Sequence, residues 1–215
     1  MRKADHFGQV PFAYYKALAP ASIRAYHQGE VEWLEQNLGQ GEMLLDVGCG
    51  AAHGLAQAVS KFKVVNGIDL SEKALLIADT LFSWTKHVWV FNVDATKMPP
   101  IWAKRYDVVT CLGAGFGNMD YEAVLKEMAR VTKPDGRVII SVYNEHARDA
   151  QVEFYNVAGL GVAHETPDSV TIEKGITSVR FTKEKLEDLA AGVGMKATVH
   201  PIGKIGYIAE LHHAK

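Results

Sequence analysis

The chain has 215 residues, 48% of them hydrophobic and 22% charged, which is enough to bury a substantial core as one domain with elaborations. A formal net charge of −2, with lysines and arginines scattered along the chain, argues against nucleic acid as an obligate partner. No secretory signal opens the sequence and no apolar run is long enough to cross a bilayer, so no membrane association and a reduced, cytoplasmic setting are expected. Cys49 and Cys111 then read as small buried thiols.

Residues 1–40 lack strand patterning. Val31, Leu34 and Leu38 recur at helical spacing beside Trp33, and Gly39 and Gly41 are expected to stop that helix. Before it lies "PFAYYKALAP", and the whole stretch reads as a helical cap ahead of a domain over 41–215. From residue 43 the pattern alternates. "MLLDV" predicts a strand, 54–61 a helix and "VVNGIDL" a second strand. Ser71 is placed to N-cap a helix with Ala74, Leu75, Ala78, Leu81 and Phe82 on one face.

"HVWVFNV" reads as a third strand, apolar enough to be buried on both faces, and "YDVVTCL" as a fourth. Asp120 caps a helix striped by Tyr121, Val124, Leu125, Met128 and Val131. "KPDG" then predicts a turn before a fifth strand, "RVIISVY". This rhythm specifies an α/β fold with a mostly parallel sheet and helices on both faces. In the tail, "SVTIEKGITSVRF" predicts an inserted hairpin over about 168–181, turning at Lys174 and Gly175. Thr182 caps a helix carrying Leu186, Leu189, Ala190 and Val193. "KATVHPI" and "KIGYIAELHH" close the sheet as an antiparallel pair.

The chemistry concentrates in "LLDVGCGAAHG", residues 44–54. The dinucleotide pattern G-x-G-x-x-G would start at Gly48 and Gly50 and require glycine at position 53, where the chain has His53. The Walker pattern fails too, because no Gly-Lys-Ser/Thr follows. What precedes the glycines is a carboxylate, Asp46. It would repel a pyrophosphate but suits a ligand with an ammonium group, while the glycines let backbone approach that ligand. In an open parallel sheet ligands bind beyond the carboxyl ends of the strands at the switch point. Asp46, Asp69 and Asp94 each fall at such an end, Asp69 about twenty residues past the glycine turn, the spacing of a ribose-binding carboxylate.

Asp46, Gly48 and Gly50 resemble the first motif of the class I S-adenosylmethionine-dependent methyltransferases, a likeness that runs over about residues 40–145. Further matches stand in order. Asp69 in "GIDLS" stands where the family binds the ribose hydroxyls. Asp94 in "NVDATKMP", with the amide of Ala95, stands where it meets the adenine, and "RVTKPDGRVIIS" resembles its turn into strand five. The resemblance implies a seven-stranded Rossmann-like sheet with an antiparallel last strand and S-adenosylmethionine as cofactor. It also implies further cofactor contacts from Cys49, Leu70 and Leu112, with Tyr15 closing over the cofactor from the cap. Ala52 stands where the family often has a third glycine, and its methyl is expected to narrow the space around the methionine moiety.

For the acceptor, "CLGAGFGNM" resembles the loop of small-molecule N-methyltransferases and points to Phe116 and Asn118 as acceptor contacts, joined by Tyr14 from the cap and Asn144 from "SVYNEH". Tyr143 and His146 are the candidate bases. His53 either faces the methionine end or caps the following helix. None of the nine histidines pairs with an acidic residue at ligand spacing, so no metal is expected. The reading is transfer of a methyl group to a small-molecule acceptor at nitrogen by in-line displacement, which needs alignment, exclusion of water and a neutral amine. The alternatives are transfer to oxygen, or a methyltransferase-like partner subunit without catalysis. A nicotinamide dehydrogenase is disfavoured by His53 and by the lack of Tyr-x-x-x-Lys. Nothing in the sequence specifies the oligomeric state.

Overall fold

The computed structural model describes residues 19–214. Helix α1 (Ala21–Asn37) buries Ile23, Tyr26, His27, Glu30 and Leu34, one stripe that mixes apolar and ionisable groups. Gly39 takes the left-handed backbone, φ 66°, just past the helix end. Gly41 does not serve as a stop, being the first residue of β1 (Gly41–Val47).

Strand and helix then alternate through α2 (His53–Ala58), β2 (Phe62–Asp69), α3 (Glu72–Phe82), β3 (Val88–Asn92), β4 (Tyr106–Cys111), α4 (Tyr121–Val131) and β5 (Thr132–Tyr143). The Ser71 hydroxyl accepts from the Ala74 amide at 3.3 Å, and the Asp120 carboxylate accepts from the Ala123 amide at 3.2 Å. Each satisfies one of the orphan donors at a helix start. The chain goes on through α5 (Arg148–Val157), β6 (Val162–Thr166), β7 (Ser169–Ile172), β8 (Thr177–Val179), α6 (Lys183–Gly192), β9 (Met195–Ile202) and β10 (Gly206–His213).

Seven strands form one sheet in the order β3-β2-β1-β4-β5-β10-β9. The pairs among the first five strands are parallel, and β10 lies antiparallel between β5 and β9. Alternate residues of each strand feed two cores. Leu44, Val65, Val108 and Ile139 pack under α1, α2 and α3, and Leu45, Ile68, Val109 and Ile140 pack under α4 and α6. Strand order reverses beside β1, between β2 and β4, and this opens the crevice where an α/β sheet binds its ligand.

Three expectations need correction. β3 is an edge strand, and Trp89 and Phe91 are 55% and 37% exposed, so its apolar run does not mean burial on both faces. Leu81, placed on the buried face of α3, is 54% exposed, whereas Ala74, Leu75 and Ala78 are buried and Phe82 packs against the same core. "KPDG" does not precede β5 but lies within it as an irregularity. Tyr106 pairs with Thr132, and the next pair is Val108 with Arg137.

The insertion is also larger than a hairpin. β6, β7 and β8 form their own three-stranded sheet, with α5 packed on β7. A buried polar clamp holds it. Arg180 donates to Gln151 Oε1 at 2.8 Å and to the carbonyls of Thr166 and Ser169, and Gln151 donates to the Ser178 hydroxyl at 3.0 Å. The Phe181 amide bonds the Tyr143 carbonyl at 2.9 Å, which ties the insertion to the end of β5.

Candidate functional site

The ends of β1, β2, β3 and β4 open into one cleft with a cavity volume of about 620 Å³. At the end of β1 the Asp46 carboxylate is buried and accepts the Thr110 hydroxyl at 2.7 Å. Its other contact explains a glycine that fits neither template. A Cβ on Gly54 would come within 2.3 Å of Asp46 Oδ2, so the first turn of α2 can pass the carboxylate only as glycine. Burial raises the Asp46 carboxyl to about 7, with Glu30 and Asp69 adding to the rise against the Thr110 bond and the charge of His53.

Between β1 and α2 the backbone turns left-handed three times, at Gly48 (φ 68°), Gly50 (φ 50°) and Ala52 (φ 83°). Ala52 is 4% exposed, packs in the core and does not line the cleft. The expectation that its methyl narrows the methionine space is therefore wrong. Position 52 favours glycine because of its φ, and alanine there holds a strained backbone.

Asp69, at the end of β2, receives the Gly50 amide at 3.0 Å and the Ser71 amide at 2.8 Å, so one carboxylate binds the glycine turn to the start of α3. Burial raises its pKa against those amide bonds. Asp94, just past β3, is exposed, and the amide and hydroxyl of Thr96 bond it at 2.8 and 2.7 Å and lower its pKa. Asp46, Gly48, Cys49, Gly50, Asp69, Leu70, Asp94, Ala95 and Leu112 all line this cleft. Tyr14 and Tyr15 lie outside the described residues. Cys49 and Cys111 are free and buried.

The acceptor candidates separate. Asn118 and Tyr143 line the cleft. Asn118 Oδ1 is buried and has no hydrogen-bond partner among the described residues. Phe116 does not face the cleft. It is fully buried, its ring centroid 5.7 Å from that of Phe181 and 6.0 Å from that of Tyr121, so it serves the core under the loop. Asn144 is absorbed in structure, accepting from the His146 amide at 2.9 Å and donating to the Lys204 carbonyl at 3.2 Å. His146 is exposed and outside the cleft lining, and burial pushes the Tyr143 hydroxyl well above its ordinary value, away from use as a base near neutral pH.

Two further groups border the cleft, and of their residues the sequence singled out only His53, as facing the methionine end or capping the following helix. The far wall comes from the insertion: Phe154 and Tyr155 of α5, and Ile176, Thr177 and Val179 of the hairpin. The other group is His27, Glu30 and His53. Glu30 is fully buried. Its Oε1 lies 2.5 Å from His53 Nε2, and its Oε2 accepts from the Gly113 amide at 2.8 Å and from the Ser141 hydroxyl. Burial alone would raise the Glu30 carboxyl, but the bond and charge of His53, with His27 and Ser141, hold it down at about 2. His27 and Glu30 stand three apart on α1, so they share a face. That spacing was the available signal, and the expectation that no histidine pairs with an acid at ligand spacing is corrected.

Residues 44–136 match the family model described as a methyltransferase domain. In that segment, and in the strand order, the chain is similar to the class I S-adenosylmethionine-dependent methyltransferases. Among curated relatives, a demethylmenaquinone methyltransferase of Halalkalibacterium halodurans is 38% identical over 109 residues, 48% of this chain and 44% of its own length. A ubiquinone biosynthesis O-methyltransferase of Bordetella avium is 34% identical over 133 residues, 59% of this chain and 54% of its own length. The chain thus spans about half the length of the curated relatives it matches.

Two solved structures share the fold at low identity. The Burkholderia thailandensis 1,6-didemethyltoxoflavin-N1-methyltransferase, solved with its substrate and S-adenosylhomocysteine, aligns with TM-score 0.65 at 17% identity over 91% of this chain and 79% of its own. The magnesium protoporphyrin IX methyltransferase of Synechocystis PCC 6803, with bound S-adenosylhomocysteine, aligns with TM-score 0.64 at 18% identity over 98% of both chains.

Proposed function

We propose that this protein transfers the methyl group of S-adenosylmethionine to a nitrogen of a small, largely apolar, ring-bearing molecule in the cytoplasm. The observation that carries the reading is the meeting of Asp46, Asp69 and Asp94 at one cleft, with no Lys or Arg among its described lining residues. Such a lining favours a cofactor that is cationic and carries no phosphate. Asp69 suits the ribose hydroxyls, Asp94 with the Ala95 amide the adenine, and Asp46 the ammonium end, directly or through water.

Apolar side chains on the insertion wall, Phe154, Tyr155, Ile176 and Val179, suit the flat body of the acceptor. Asn118 Oδ1 lacks a partner among the described residues and supports a nitrogen acceptor, since an N–H held by an amide oxygen leaves the lone pair free to face the sulfonium methyl. Nitrogen becomes cationic as it takes the methyl and then gives its proton to solvent. A second reading, transfer to oxygen, is supported by His53, because an imidazole held by a buried carboxylate is suited to take a proton.

Calorimetric titration with S-adenosylmethionine, S-adenosylhomocysteine and NAD tests the cofactor reading, and binding of NAD alone would overturn it. Incubation with pools of amines, heteroaromatic bases and phenols, read by mass spectrometry for the gain of one methyl, tests the acceptor. Methylated phenols without methylated nitrogen compounds would replace the first reading by the second. Cofactor binding without turnover on any pool would favour a partner subunit.

A further inference from the structure

His27 and Glu30 present donors from one face of α1, and His53 meets them from the start of α2. Taken one ligand atom from each, the three donors lie within 4.8 Å of one another. Bonds of about 2.0–2.2 Å to a first-row ion in tetrahedral geometry set the donors roughly 3.4 Å apart, so binding requires the Glu30–His53 pair, now at 2.5 Å, to open around the ion and His27 to complete the set. His27 and Glu30 are buried, and the side chain of His53 is 17% exposed.

We propose that His27, Glu30 and His53 bind one divalent transition-metal ion of the zinc class at the edge of the cleft, leaving an open coordination position toward it. Two observations beyond the donor set point to a ligand. The first is the support behind Glu30. Oε2 is occupied by the Gly113 amide at 2.8 Å and by the Ser141 hydroxyl, so the carboxylate is fixed from behind and turns Oε1 toward His53. Outer hydrogen bonds of this kind orient the carboxylate ligands of metal sites. The second is the opening. Both histidines line the cleft, so a fourth ligand, a water or an oxygen, nitrogen or sulfur atom of the acceptor, would approach from that side.

An ion pair between Glu30 and His53 needs only those two residues. His27, three positions before Glu30 and with its ring centroid 5.9 Å from that of His53, supplies the third donor on the cleft side. Two imidazoles and one carboxylate select zinc, cobalt, manganese or iron(II) over calcium and magnesium, which prefer oxygen-only shells. The inference does not depend on methyl transfer, because its readout is the ion itself.

The test uses the full chain without a histidine tag, dialysed against chelator and titrated with Co²⁺ alone and with Zn²⁺ alone. Expected are one equivalent bound, visible absorption bands on Co²⁺ addition, and their loss when Zn²⁺ displaces it. His27→Gln and His53→Gln each weaken binding by more than the roughly 10- to 100-fold that losing a supporting partner costs, and Ser141→Ala weakens it by about 10-fold. Circular dichroism checks that each variant folds. The histidine variants keep the test valid where Glu30→Gln does not fold. No bound equivalent of either ion in the wild type, or undiminished binding in the His27→Gln/His53→Gln double variant, overturns the proposal.

Discussion

The two walls of the cleft are built on different physics. The strand-end wall is backbone held by carboxylates: Asp69 binds two amides, and Asp46 sits in space that only Gly54 leaves open. The insertion wall is made of side chains, Phe154, Tyr155, Ile176 and Val179, on a small sheet fastened by the Arg180–Gln151–Ser178 clamp. A wall of the first kind tolerates little change and holds one ligand. The second changes its lining without disturbing the main sheet, which is how one fold serves many acceptors.

This contrast is open to breakage, starting with the largest effect. Glu30→Ala removes the partner of His53, Ser141 and the Gly113 amide at a fully buried site, and should cost about 3–5 kcal/mol in urea unfolding. A loss under about 1 kcal/mol, the value of a surface pair, would mean that water enters the cluster. Next, Asp69→Ala should weaken S-adenosylhomocysteine binding by about 10- to 100-fold, the value of one or two hydrogen bonds to a charged group, with the fold retained. Unchanged calorimetric affinity would remove Asp69 from the ribose assignment.

Asp46 gives a pH dependence of definite sign. Its folded value of about 7 lies above the ~3.9 of an unfolded aspartate, so the folded state binds the extra proton between them. Stability from this residue is therefore full below about pH 4 and is lost as the pH rises to about 7. Glu30 runs the other way: held at about 2, its contribution is present above about pH 4.3 and is lost on acidification toward 2. A cationic cofactor prefers ionised Asp46, so its affinity should rise by up to about tenfold from pH 6 to 8, and Asp46→Asn should flatten that rise.

On the other wall, Ile176→Ala should raise the acceptor KM by about 3- to 10-fold, from loss of about 1 kcal/mol or more of apolar contact, and leave cofactor affinity unchanged. An equal loss of cofactor affinity would erase the distinction between the walls. The smallest effect is expected for Ala52→Gly. Relief of about 1 kcal/mol of left-handed strain is offset by the ~0.8 kcal/mol of a buried methyl, so the thermal midpoint should hardly move.

How far each wall could be read in advance follows from this difference. Strand ends, glycines and caps are local features, so β1, β2 and β4, the Ser71, Asp120 and Thr182 caps and the cofactor candidates were legible from spacing. α5 was missed because its buried face is Ala150, Gln151 and Tyr155, a stripe whose central member is polar and is satisfied only by Ser178 and Arg180 far along the chain. Phe116 misled for a related reason, since its surroundings, Tyr121 and Phe181, arrive from two separate elements. β3 misled because an apolar run reads alike in a central and an edge strand.

By itself the sequence determined the alternating fold, the switch-point crevice and the chemistry of its carboxylates, because backbone conformation and strand periodicity are set within a few residues. Only the tertiary structure decided the insertion wall of the cleft and the joining of His27, Glu30 and His53. Those depend on contacts between residues distant in the chain, such as the 83 positions between Glu30 and Gly113 and the 111 between Glu30 and Ser141. Burial makes such contacts obligatory, since a carboxylate out of water must find its donors wherever the fold brings them.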